Sequence, residues 1–214
     1  MLYKRAGSSS STCSADSRSG RDFWSERMGN QKANETEPWF IAVERFRRSD
    51  NESWRSYIEW SGLEQLEEVI SLDSMLCPNV FTTIPDSGWE HIAQDSDIYG
   101  IFNNLEYLRQ QIEYKNDKRY RILCVFKEPQ ELPRLPPELD GFEFCGFDLI
   151  ESETCISALN NCGGWPELNN NSLSKWGLLT DFDEASLLQK SLRRNHPEEA
   201  HANCDLWAIF ADNL

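Results

Sequence analysis

The segment Tyr120-Arg-Ile-Leu-Cys-Val-Phe126 carries apolar side chains on both parities of an extended chain. Successive side chains of a strand point to opposite faces. Such a run is at ease only with cover above and below it, in the middle of a sheet. A middle strand needs partners, and the chain supplies candidates. Trp39-Phe40-Ile41-Ala42-Val43-Glu44-Arg45-Phe46 is short, aromatic and β-branched and reads as a strand. Residues 142–150 read as another. Their apolar parity switches between Phe144 and Phe147 with Gly146 between, which predicts a bulge. Residues 205–210 close the chain as a last strand.

Helical patterns fall between these runs. Ile101, Leu105, Leu108 and Ile112 form a stripe at i, i+4, i+7 and i+11. Leu63, Leu66, Val69 and Ile70 follow helical spacing, with Glu64, Glu67 and Glu68 facing out and Cys77-Pro78 as the stop. Residues 180–194 predict the last helix. Asp181 is its N-cap, Glu184 stands three residues on, Ala185, Leu188 and Leu192 form the buried stripe, and Asn195 and Pro197 end it. Trp54 to Trp60 has broken alternation and is read as ambiguous, a second strand in hairpin with the first being one option. Residues 79–97 read as irregular with one short extended piece, 80–84. Pro129, Pro133, Pro136 and Pro137 make an extended loop, favoured as a surface connection over a polyproline ligand. The order β, (β), α, α, β, β, α, β predicts an α+β fold, a largely antiparallel sheet with helices packed on one face.

Residues 1–37 read as a disordered Ser-rich tail, with 38–214 as a single domain. The tail holds six basic and five acidic residues, so the chain's formal charge of −15 becomes −16 on the domain. A surface so acidic disfavours nucleic acid, whose phosphates are held by Lys and Arg, and disfavours anionic membranes. It attracts a basic protein. No apolar run approaches the ~18 residues of a membrane span, and the first residues lack the apolar core of a secretory signal. Lys4, Arg5 and the early serines hint at a transit peptide, but Asp16, Asp22 and Glu26 follow at once. Seven cysteines, an odd number, without a secretory signal predict free thiols in the cytoplasm.

Candidate chemistry gathers in the last third of the chain. His196, His201 and Cys204, with Cys162 or Cys155 as a fourth ligand, are zinc-type donors, but their spacing matches no strong zinc signature and a helix-end role accounts for His196. Cys162-Gly163-Gly164 is a thiol in a glycine turn. Such a turn would lower the thiol's pKa, and His201 or His196 would serve as its base. A buried small residue in a tight turn explains the same motif. Asp140, Glu143, Asp148, Glu151 and Glu153 cluster about one strand. Strand parity would place Glu143 and Glu151 on one face unless a bulge resets the phase. They read better as a contact surface for a basic partner than as an acid–base pair. Trp165, after the glycines and before a proline, is the aromatic anchor candidate, or else a lid over the sheet edge. Phosphate-binding glycine motifs are absent, and no cofactor is expected.

Ser157-Ala158-Leu159-Asn160-Asn161-Cys162-Gly163-Gly164, Pro197-Glu198-Glu199-Ala200-His201-Ala202-Asn203-Cys204 and Trp207-Ala208-Ile209 resemble a group of small uncharacterised acidic proteins over residues 142–210. The resemblance implies no catalytic role. In size and charge the domain is also similar to bacterial immunity proteins. The leading expectation is therefore an acidic cytoplasmic interaction domain, not an enzyme, that contacts a basic partner through Asp148, Glu151, Glu153 and Trp165. The competing one is a thiol-dependent enzyme using Cys162 with His201 or His196.

Overall fold

A computed structural model describes residues 37–80, 101–115, 119–151, 155–161 and 164–212. Apart from Glu37, the tail lies outside the described residues, as does nearly all of the extended piece at 80–84.

The core of the domain is an antiparallel sheet with strand order β4-β1-β5-β7-β6. Its members are β1 (Trp39–Glu44), β4 (Ile101–Phe102), β5 (Tyr120–Lys127), β6 (Phe142–Glu151) and β7 (Cys204–Asp212). As its two-sided apolar pattern requires, β5 sits at the centre. Phe40 pairs with Cys124 on one side, and Cys124 with Phe210 on the other. Residues 122–125 are fully buried. The register of β6 against β7 shifts between Phe144 and Gly146, which is the expected bulge. That shift puts Glu143 opposite Ala211 and Glu151 opposite Cys204, on different faces of the sheet.

One face carries an aromatic layer. Phe126 meets Phe210 edge-on at 5.7 Å between ring centroids, and Phe144 meets Phe147 at 5.1 Å. Two helices cover this face. Helix α2 (Leu105–Lys115) places Arg109 over Phe142, and α3 (Phe182–Asn195) sets Phe182 edge-on to Phe147. Helix α3 starts where the sequence indicates, with Asp181 accepting the Glu184 N–H at 2.8 Å.

The opposite face, lined by Ile41, Leu123, Val125, Ile209 and Asp148, meets a layer of loops joined by α1 (Glu52–Ser61). The ambiguous Trp54–Trp60 stretch is thus helical. Asn51 caps its start by accepting the Trp54 N–H at 2.8 Å, and Gly62, at φ 68°, ends it in the left-handed conformation. Trp54 and Tyr57 bury their rings against Phe46.

Residues 63–70 correct the expectation of a helix. All four apolar positions are buried, but in a turn and the short strand β3 (Glu68–Val69), which pairs with β2 (Phe46–Arg47). Glu68 turns inward instead of facing out. Arg45 grips it with two hydrogen bonds of 2.9 and 2.8 Å, and Arg121 adds a third at 3.3 Å. The terminating Gly62 just before Leu63 and this ion pair overrule the helical spacing. Likewise Ile101 lies in β4, because Asn104 caps α2 later by accepting the Tyr107 N–H at 2.9 Å.

Candidate functional site

A dense, buried polar arrangement lies beneath the loop layer. Asp148 follows the bulge on β6, with its side chain on the loop-covered face and no solvent exposure. Ser71 donates to one of its oxygens at 2.5 Å. Ser157 at 2.7 Å and the Leu149 N–H at 2.8 Å donate to the other. Asp73, also fully buried, accepts from Met75 N and Leu76 N within its own turn and from Ser157 N and Asn161 Nδ2 across the layer. Tyr57 of α1 donates to the Asn160 carbonyl at 3.1 Å, and Asn160 Nδ2 donates to the Gly177 carbonyl at 3.0 Å. These bonds join α1, the 71–77 turn, β6 and the 155–161 turn into one network.

Burial pushes the Asp148 carboxyl up to about 6, and Asp73 adds to the rise, against the opposing pull of its hydrogen-bond donors. Two buried acids with different environments are the raw material of acid–base chemistry. Here, however, both are sealed from solvent and saturated with protein donors, which is the pattern of a structural hub.

This burial corrects the proposed contact surface. Asp148 and Glu151 are 0% and 5% exposed, so neither presents a charge to a partner. Glu153 lies outside the described residues. Asp140 and Glu143, from the same acidic group, are exposed. Trp165 is half-buried. Its indole N–H donates to the Ala158 carbonyl at 3.0 Å, and its ring lies 5.0 Å from that of His196. It is therefore tethered like a lid, with part of the ring at the surface.

His196 ends α3, with its backbone N–H bonded to the Leu192 carbonyl. Its Nε2 lies 3.0 and 3.1 Å from the two oxygens of Glu167, which also accepts from Asn195. Hydrogen bonding by Asn195, helped by His196, holds the Glu167 carboxyl below the usual range. Cys204 points into the core with no exposure, and burial pushes its thiol up to about 12. No cluster of three or more His, Cys, Asp or Glu residues fit to hold a metal occurs among the described residues. Cys162, Gly163 and the side chain of His201 lie outside them.

The hub residues Tyr57, Ser71, Asp73, Ser157 and Asn160 were not among the site residues expected from the sequence. Local signals exist. Ser71 accepts the Asp73 N–H two residues on, and Ser157 accepts the Leu159 and Asn160 N–H groups, both ordinary side-chain turns. Their meeting depends on contacts such as Ser71 with Asp148, 77 residues apart, and Tyr57 with Asn160, 103 apart, and leaves no local trace.

Fold and site together define an α+β domain organised about a buried acidic hub. Compared with known proteins, the chain matches no family model, no curated protein and no solved structure.

Proposed function

We propose that the domain is an acidic, cytoplasmic protein-interaction module that binds a basic protein, in the manner of an immunity or inhibitor protein. The observation that carries this reading is charge. Residues 38–214 hold 31 acidic and 15 basic residues. With Asp148 and Glu151 buried, the contacts fall to exposed acids such as Glu52, Glu59, Asp140 and Glu143. Trp60 on α1, 53% exposed, is an aromatic side chain in position to anchor a partner. No helix among the described residues is long and apolar enough to cross a membrane. The test is a pull-down with the full chain at low and high salt, beside an Asp140→Lys/Glu143→Lys and a Glu52→Lys/Glu59→Lys variant. A basic protein retained at low salt, released at high salt and weakened by one of the charge reversals supports the reading. Recovery of no basic protein at low salt sinks it.

A second reading, a thiol-dependent enzyme, draws on the His196–Glu167 pair. A catalytic imidazole needs an orienting group, and Glu167 supplies one. Trp165, which contacts His196, is three residues beyond Cys162. His201 stays the alternative base. On this reading iodoacetamide labels Cys162 far faster than the other cysteines, and uniform slow labelling removes it.

A further inference from the structure

The hydrogen-bond directions at Asp148 leave one place where a proton can move. Ser157 Oγ receives the Leu159 and Asn160 N–H groups, so its own hydrogen points to Asp148. The Leu149 N–H can only donate. Ser71 differs: its oxygen receives one N–H, from Asp73 at 3.0 Å, and keeps a second lone pair. The Ser71–Asp148 contact therefore accepts the hydrogen on either oxygen.

Among the described residues no cation is placed against Asp148. The titratable groups that face it are Asp73 and Cys77 from the 71–77 turn and Tyr57 from α1; Cys204 of β7 lies on the other side of the sheet. Asp73 makes a charge on Asp148 costlier, and burial keeps Tyr57 and Cys77 protonated. The turn that closes over the hub is held by Ser157 and Asn161 on Asp73 and by Ser157 on Asp148, beside the Ala158 N–H on the Leu149 carbonyl and the Tyr57 hydroxyl on the Asn160 carbonyl. Trp165 hangs from the same turn through the Ala158 carbonyl.

We propose that Asp148 is a proton-operated latch on the 157–161 turn, closed when a proton is shared with Ser71 and eased when that proton is lost, with Trp165 carried along. When the turn opens, water reaches the carboxylate and stabilises its charge. When it is closed, the same charge sits beside Asp73 without a counter-ion among the described residues. The closed form thus holds the proton more tightly, and rising pH shifts the balance toward opening. Burial places the closed-form titration at about 6, where a cell's pH changes bear on it. The latch stands apart from the identity of any partner, and would make any contact through Trp165 pH-dependent.

Amide hydrogen exchange of the full chain, read by NMR at Leu159 and Asn160 and corrected for intrinsic rates, tests this. Opening is expected to grow about tenfold between roughly pH 5 and pH 7, while Leu123 in the central strand stays unchanged. In Asp148→Asn the response of the turn disappears. Exchange at the turn that ignores pH in the wild type, or a response that survives in the variant, overturns the latch. If the variant does not fold, carboxyl-carbon NMR of the wild type decides. An Asp148 midpoint near 6 upholds the proposal, and one in the ordinary carboxylate range overturns it.

Discussion

Gly146 shows how much one residue can hold. Its φ is 146°, which side chains rarely adopt, and a Cβ there would lie 2.5 Å from Leu178 Cβ and 2.6 Å from the Leu179 carbonyl oxygen. Leu179 exchanges two backbone hydrogen bonds with Phe147, so residues 178–179 cannot withdraw without losing them. Gly146→Ala is expected to cost about 2–4 kcal/mol, from backbone strain plus overpacking, measured by urea denaturation. A loss below about 0.5 kcal/mol, the scale of a neutral surface change, would show that the bulge tolerates a side chain. The parity switch about Gly146 was legible in the sequence. Its consequence was not. After the bulge Asp148 faces the loop layer, and whether that layer excludes water depends on residues 71–77 and 155–161, far away along the chain.

The helices divide by how local their signals are. Helix α3 carried its cap, stripe and stop within one window, and all three stand in the structure. The Asp181 carboxylate caps the helix and also faces the positive end of its dipole. Asp181→Ala should therefore destabilise the protein by about 1 kcal/mol, with Asp181→Asn recovering most of the loss; equal melting curves for wild type and Asp181→Ala would refute the cap's contribution. Helix α1 had equally local signals in Asn51 and Gly62, but its buried Trp54 and Tyr57 blur into an aromatic run that also suits a strand. At 63–70 the spacing pointed to a helix that does not form. Burial of those four apolar residues is satisfied as well by a turn and a short strand, and the Arg45–Glu68–Arg121 ion pair selects the latter.

For the molecule as a whole, the cysteines and the hub set its response to solution conditions. Cys77, Cys124, Cys145 and Cys204 are buried, and burial raises all four thiols, three of them to about 12. A disulfide reagent should react with none of these four in the native protein and with all of them in denaturant. Fast native reaction at any would contradict the packing. Asp148 gives stability an uncommon pH dependence. Its carboxyl holds the proton more tightly folded than unfolded. Its contribution is therefore complete below the ordinary carboxylate range and lost as pH rises through about 6. Relative to Asp148→Asn, the wild type should lose about 1 kcal/mol between roughly pH 5 and pH 7. Urea titrations of both proteins at the two pH values would show it, and an unchanged difference would refute it.

The sequence by itself determined the central strand, the bulge, the capped last helix and the acidity of the domain, because each depends on neighbours within a few positions or on composition alone. Tertiary structure decided which acids are surface and which are core. Asp148, Glu151 and Glu68 read as solvated charges in the chain and become buried ones in the fold. Asp148 is met by Ser71 from 77 residues away and Glu68 by Arg45 and Arg121 from 23 and 53, and burial is a property of what packs above a residue, not of what stands beside it in sequence.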